Sequence, residues 1–578
     1  MTIKKFWLEQ SKSIYWQKKP SVAFNKKKDN YIDWFPDGKL NVFYNCVTKN
    51  LNQGLEKKIA IYFINKEKKI QSFTYKDLDE KINIFSNILL SNLKNKNFAK
   101  IKIVIHGSAS IETTISMFAC AKLGIHFSVI FEDLAPEAIH KRILLLKPDL
   151  FITRFNKIKF TKDIFSKIKL GKMKLIFFEN IKYLNKKNNA KKISHIAVNS
   201  NKELFTLFTS GSTGVPKGIV HSSGGYLVAT KYTSIKQFGM NTQSIVLTAS
   251  DAGWLNGHTY ALFGPLSLGA TTVLLESPML LVDEKFLKKI LNLKVSILYL
   301  PVTIIRMMKA VFGRKKFRTK YLKTLGSMGE HLAPSVAEWF SDRFTNKNKS
   351  IVNCYYQTEN GAHIFSPTHK DTIKKVPHGS AGKSVTKFLK TNKLDENQKK
   401  EIKLLTPWPG NMKKIINGKH EWNKYWDKKG NFRMFDLGTM HKGNLFVHGR
   451  TDDVINIRGH RIGSAEIEST VLKVKEVYEC CAISLPDEME GHVIYLFVVS
   501  KNNVSNNKIL AQINANFGTF ALPKKIFHVN ELPKTRSGKI LRRLLRLVLV
   551  NPDEAEKSDL TIMLNKKVIK DIIQNVKN

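Results

Sequence analysis

Between about residues 55 and 350, short β-branched runs alternate with longer stretches of helical spacing. The runs include 100–107 (KIKIVIHG), 127–131 (FSVIF), 244–250 (SIVLTAS) and 295–301 (VSILYLP). A strand covered by helices on both faces reads as an unbroken apolar run, because neither face meets water. The alternation therefore predicts an α/β fold with mostly parallel strands. The texture changes after Arg450. An amphipathic stretch from Gly463 to Val474 precedes strand-like runs near Cys480–Ser484 and Val493–Val499. The chain is expected to divide into a large domain, 1–450, with an extension at 1–55, and a small, mobile C-terminal α/β domain, 451–578. The tail from ILRRLLRLVLV onward reads as helical, and 385–430, rich in Lys, Asn, Asp and Trp, as surface loops.

Composition narrows the function classes. The 578 residues carry 95 Lys+Arg against 47 Asp+Glu, a formal net charge of +48. Such an excess attracts polyanions. The lysines, however, are spread along the whole chain and are not gathered beside aromatics, which argues against a nucleic-acid tract and leaves anionic small molecules favoured. The sequence contains no apolar run long enough to span a bilayer, and its first residues lack the apolar core of a secretory signal. A cytoplasmic location is expected. Five scattered cysteines without CxxC spacing support neither a disulfide framework nor a zinc site. The sequence sets no oligomeric state.

The strongest local signal runs from Thr209 to Gly218, TSGSTGVPKG. Three glycines allow backbone N–H groups to approach phosphate oxygens, the hydroxyls of Thr209, Ser210, Ser212 and Thr213 add donors, and Lys217 adds charge. The order is not that of a Walker loop, which requires Gly-Lys-Ser/Thr.

With this loop the chain resembles the AMP-forming acyl-CoA synthetases, most nearly the acetyl-CoA and propionyl-CoA synthetase branch. Further matching motifs follow in the same order. They are Asp251-Ala-Gly-Trp-Leu-Asn-Gly-His-Thr-Tyr260, Gly329-Glu330, Tyr356-Gln-Thr-Glu-Asn-Gly361, Gly449-Arg450 through Arg461, and Leu532-Pro-Lys-Thr-Arg-Ser-Gly-Lys539. The resemblance implies two half-reactions: a carboxylic acid and ATP give acyl-AMP and pyrophosphate, and the thiol of coenzyme A then displaces AMP. A carrier-protein thiol is the alternative acceptor.

The resemblance also assigns roles. Lys539 would be the catalytic cation bridging carboxylate and α-phosphate. The nucleotide would meet Thr209, Ser210, Gly211, Ser212, Thr213, Gly214 and Lys217, then Gly329, Glu330, Asn353, Tyr355, Tyr356, Gln357 and Thr358. Asp436 and Arg450 would hold the ribose, Arg461 would face phosphate, and Glu359 would ligate Mg²⁺, a hard cation suited to carboxylate oxygens. Trp254, Leu255, Asn256, Met328 and Tyr356 would line the acyl pocket. Asp452 would be the hinge, with Gly459 and Gly463 along the coenzyme A tunnel.

Several positions depart from the family pattern. Acetate-using relatives have Val-Thr, Val and Trp where this chain has Leu255-Asn256, Met328 and Tyr356. A small but more polar pocket is expected, for acetate, propionate or a short hydroxy or keto acid. Phe131-Glu132-Asp133-Leu134 replaces Phe-Gly-Gly-Phe, placing two carboxylates where the acceptor's phosphates would lie, with Arg458 as a candidate compensator. Met434-Phe435 replaces Thr-Gly before Asp436, and the spacing from Asp436 to Arg450 is one residue short.

Overall fold

The structure is a computed structural model. It describes the chain apart from residues 94–96, 133, 135, 158–172, 180–190, 210–215, 346–347, 417, 452–453, 458–459, 488–490, 501–503, 536–537, 559, 561–562, 564 and 578.

Two seven-stranded sheets dominate. One runs in the order Lys414–Ile415, Lys217–Ser222, Glu203–Thr209, His126–Ile130, Lys102–His106, Leu150–Thr153, Lys174–Phe177. Its pairings are parallel from Glu203–Thr209 onward, and antiparallel at Lys217–Ser222 and Lys414–Ile415. The other runs Val352–Asn353, Thr324–Met328, Ile297–Pro301, Ile245–Thr248, Thr271–Leu275, Ile59–Ile64, Ile70–Thr74, with only the last pair antiparallel. Strands such as Ile297–Pro301 and Thr271–Leu275 are buried at every residue, which is why their sequences run apolar without alternation. The α/β class with parallel-rich sheets is borne out.

A three-stranded antiparallel sheet, Lys400–Leu404, Phe432–His441 and Asn444–Arg450, follows. Beyond it lie a hairpin, Val454–Ile457 with His460–Gly463, and a sheet of Val477–Asp487, Gly491–Ser500 and Lys525–His528 carrying helices Ser464–Val471 and Asn506–Phe517. The tail is helical, as expected: Arg542–Val550, Pro552–Lys557 and Lys567–Lys577. One apolar cluster runs from helix Val302–Phe312 through Ile455, Ile467, Cys480 and Leu496, so the two lobes share a core face.

The segment 385–430 is more than surface loops. Trp408 is fully buried, and its indole N–H donates to the Asn360 carbonyl at 2.9 Å. Trp7 of the N-terminal extension meets the Trp408 and Trp34 rings edge-on, at 5.3 and 6.0 Å. Single large aromatics fix both segments, and they leave no periodic signal in the sequence. All five cysteines are free. Among the described residues no helix is long and apolar enough to cross a membrane.

Candidate active site

Parallel pairing sends the carboxyl ends of neighbouring strands to one edge of a sheet, where open α/β sheets bind ligands. In the second sheet those ends are Thr248, Pro301, Met328 and Asn353. The segments leaving them carry Asp251–Asn256, Thr303, Gly329-Glu330 and Tyr355–Glu359. In the first sheet the same logic delivers Phe131 and Glu132 after Ile130, and Thr209 at the mouth of the glycine-rich loop. The two edges meet where Phe131 packs on Trp254, ring centroids 5.2 Å apart. A Cβ on Gly253 would lie 2.6 Å from the Phe131 ring, so only glycine fits between them. Thr209 and Lys217 are direct cross-strand partners, bracketing the loop. Ser210 to Gly214 lie outside the described residues.

Asp436 organises the best-defined polar cluster. Antiparallel register sets it opposite Arg450, with Nη1 3.7 Å from Oδ1. The short spacing noted in the sequence is absorbed by a register shift between Leu437 and Gly438. The Tyr355 hydroxyl and the Gln357 amide both donate to Asp436 Oδ2 at 2.6 Å, and Gln357 also donates to the Met434 carbonyl at 2.5 Å. Burial raises the Asp436 carboxyl above the usual range, against lowering by Arg450, Tyr355, Gln357 and the charge of Lys539. Phe435, where the family pattern has glycine, sits at φ 54°. That left-handed backbone costs a bulky residue about 1–3 kcal/mol. Its ring is flanked by the guanidiniums of Arg433 and Arg450, 4.7 and 5.9 Å from the centroid, which offsets part of that cost.

Lys539 itself stands at a hairpin tip. Gly538 N and Lys539 N donate to Thr535 O and Oγ1, Thr535 N donates to Lys539 O at 2.8 Å, and Lys534 bridges Ile540. The side chain is exposed, and its charge acts on Asp436, so the hairpin reaches across from the C-terminal lobe to the strand-end cluster.

The expected phosphate side has partners that motif reading missed. Lys217 Nζ lies 2.9 Å from Glu421 and 5.6 Å from the Tyr425 ring. The Tyr425 hydroxyl donates to Glu359 Oε1 at 2.6 Å. Helix Lys419–Lys424 thus ties the loop lysine, and the tyrosine at its end orients the carboxylate expected to meet metal. Thr358 presents its carbonyl to His221 Nε2 at 2.8 Å. Asn353 is buried, its amide bonded to Ser327 Oγ and the Ser380 carbonyl at 3.0 Å each, which pins the strand end. Gly329 is left-handed, at φ 91°, and exposed.

On the expected acyl side, Tyr356 donates to Asn256 Oδ1, which Tyr299 also approaches at 3.5 Å. Tyr299 further contacts Cys354 Sγ at 2.6 Å and His363 Nε2 at 3.1 Å. Burial holds both tyrosines well above and His363 well below their ordinary values, so the network is neutral at pH 7. Met328, 3% exposed, packs in the same cluster as Tyr299 and Tyr356, whereas Leu255 belongs to the main core. The Trp254 indole N–H is buried and has no hydrogen-bond partner among the described residues. Burial pushes the Asp251 carboxyl up to about 6, against the Gly253 and Ala109 amides that bond it.

On the expected acceptor side, Arg154 Nε lies 3.3 Å from Glu132, neutralising one of the two added carboxylates. Gly463 opens helix Ser464–Val471, its missing Cβ filled by the His448 carbonyl 2.3 Å away. Asp133, Asp452, Arg458, Gly459 and the Arg461 side chain lie outside the described residues.

The strand ends, the Asp436 cluster and the Lys539 hairpin thus lie together, and comparison with known proteins places the chain. The AMP-binding enzyme model matches residues 49–411, more than half of the chain, and the AMP-binding enzyme C-terminal domain matches 466–539. The protein belongs to the AMP-forming acyl-CoA synthetase family of acid–thiol ligases. Within that family, residues 2–46 match the acetyl-coenzyme A synthetase N-terminus. Acetyl-coenzyme A synthetase of Leptospira biflexa is 32% identical, covering 99% of this chain and 94% of its own. Acetyl-coenzyme A synthetase 2 of Saccharomyces cerevisiae is 31% identical over 95% and 87%. Among solved structures, acetoacetyl-CoA synthetase from Streptomyces lividans has the same fold, with TM-score 0.80, 15% identity, and 100% and 92% of the chains covered. So does an anthranilate CoA ligase in complex with anthranoyl-AMP, at 0.77, 19%, 88% and 97%.

Proposed function

We propose that this protein is an acetate-activating acyl-CoA ligase, with propionate as the nearest competing acid. The observation that carries the reading is the Lys539 hairpin set against the Asp436 cluster. An ammonium from one lobe there faces a ribose-type clamp of Asp436, Tyr355, Gln357 and Arg450 on the other.

Both reactants of the first step are anions, so their approach is opposed until charge is neutralised, and positioning plus electrostatics carries most of the rate. Lys539 supplies a mobile cation between carboxylate and α-phosphate, and Thr358 with the glycine-rich loop holds the phosphates. Lys217 takes the far phosphates once it exchanges Glu421 for them. A single half-buried carboxylate beside phosphate oxygens is an ordinary donor set for Mg²⁺, which when bound would neutralise phosphate charge beside Glu359. Domain rotation about Asp452 would then withdraw Lys539 and admit the thiol past Gly459 and Gly463. The Glu132–Arg154 pair favours coenzyme A as acceptor, because a compensated carboxylate repels phosphates less.

Met328 is larger than the valine of acetate-using relatives, and Tyr356 spends its hydroxyl on Asn256. This supports a short pocket that makes no demand for an oxygenated acid. Pyrophosphate release measured across formate, acetate, propionate, lactate, pyruvate and acetoacetate, with and without coenzyme A, tests the reading. The expected result is acetate-dependent release with stoichiometric thioester. Release without coenzyme A consumption would point to a carrier-protein thiol, and no acid-dependent release would end the proposal.

Met328 gives a sharper check of the pocket. Met328→Val is expected to raise kcat/KM for propionate relative to acetate by about tenfold, since one methylene is worth about 1–3 kcal/mol of discrimination. An unchanged ratio would remove Met328 from the acyl wall.

A further inference from the structure

The hairpin carrying Lys539 touches the large lobe through the two backbone groups that flank the lysine. Thr303 Oγ1 donates to the Gly538 carbonyl at 2.6 Å. On the other side Ile540 N donates to Glu330 Oε1 at 3.1 Å, and the second Glu330 oxygen is held by Arg306 Nη2. Thr303 and Arg306 stand three residues apart on helix Val302–Phe312, so they share a face. They are 3% and 7% exposed. Gly538 has φ +86°, and the place of its missing Cβ is filled by the Thr303 side chain at 2.6 Å. The surfaces therefore fit with no room for a side chain at 538.

We propose that Thr303, Arg306 and Glu330 form a docking cradle whose function is to position Lys539 for the acid-activating half-reaction. The proposal rests on the adenylating role assigned to Lys539 above. A lysine side chain has four rotatable carbons, so its ammonium is placed only as well as the backbone that bears it. With the preceding carbonyl and the following N–H both clamped, and its own N–H bonded to Thr535, the Lys539 backbone is fixed on every side. The Glu330 carboxylate makes the stronger, charge-assisted bond, and Arg306 makes that carboxylate tolerable in a buried interface. The hydrogen bonds at Gly538 and Ile540 register the hairpin, yet each is light enough to be given up when the lobes rotate. Thr303 and Arg306 need not touch substrate for this, and Glu330, expected among the nucleotide residues, has both carboxylate oxygens engaged in the cradle; the three act through Lys539.

The test separates the half-reactions. Thr303→Val keeps the shape and deletes the donor, and Thr303→Ser restores it. In Thr303→Val, kcat for acid-dependent ATP–pyrophosphate exchange should fall about tenfold, with KM values for ATP and acid unchanged within about twofold. Thioester formation from supplied acetyl-AMP should stay at the parent rate, and Thr303→Ser should behave as the parent. Arg306→Met should show the same split at about a hundredfold. If that variant does not fold, the threonine pair decides alone. Equal loss in both half-reactions would make the contact merely structural and overturn the proposal, as would undiminished exchange in Thr303→Val. If the parent protein shows no acid-dependent exchange, the functional reading fails and takes the cradle with it. If the parent exchanges and Thr303→Val matches it, only the cradle fails.

Discussion

Lys539→Ala is expected to lower acid-dependent ATP–pyrophosphate exchange by about 10³-fold, while thioester formation from supplied acyl-AMP stays within about twofold of the parent. The expectation follows from charge. Carboxylate and α-phosphate repel, and the buried Asp436 carboxylate, on which the Lys539 charge acts, adds a third negative group within reach of that lysine. Arg450 is the partner cation on Asp436, but its backbone is held in the strand register and cannot travel with a moving lobe. Lys539 projects from a hairpin tip and can. Removing it takes away the charge that develops its value only as the anions close, so kcat should fall with little change in KM for ATP. The measurement is paired: isotope exchange for the first half-reaction, thioester absorbance for the second. A loss of equal size in both would mean that Lys539 serves the scaffold or both steps, and the division of labour would be abandoned.

The sequence makes the scaffold legible because parallel strands buried on both faces have to be apolar throughout. Runs such as 295–301 announce themselves, and the order of motifs then places the site at the strand ends. The harder parts are those set by one residue at a time. The partners of Lys217 and Glu359, Glu421 and Tyr425, lie in a segment with no periodicity, held by Trp408 and Trp422. Their only sequence signal is a cluster of aromatics in an otherwise polar stretch. The Asp436–Arg450 pairing looks misregistered in sequence and is restored by a register shift, which spacing alone does not disclose. Glu132 reads as a repulsive charge until Arg154, 22 positions on, is found beside it. Thr303 carries no motif at all. It is visible only once two lobes are docked, since its partner is a backbone carbonyl 235 residues away.

The second large effect concerns the root of the same hairpin. Lys534 Nζ lies 2.8 and 2.6 Å from the two carboxylate oxygens of Glu479 on strand Val477–Asp487, and the two side chains are 5% and 7% exposed. Charges that deep are tolerable only together. Lys534→Met leaves an uncompensated carboxylate and should destabilise the protein by about 3–5 kcal/mol, read as a lowered urea midpoint at unchanged m. The double variant Lys534→Met/Glu479→Leu removes both charges and fills the space with apolar volume. It should recover stability to within about 1 kcal/mol of the parent, because replacing a buried pair costs far less than breaking one. Its adenylation rate should also recover to within about fivefold, since the far end of the hairpin is still held by its own turn and by Thr303 and Glu330. A single variant within about 1 kcal/mol of the parent would mean that water reaches Glu479. A stable double variant with adenylation still lost would assign the ion pair to aiming Lys539, over and above holding the lobe together.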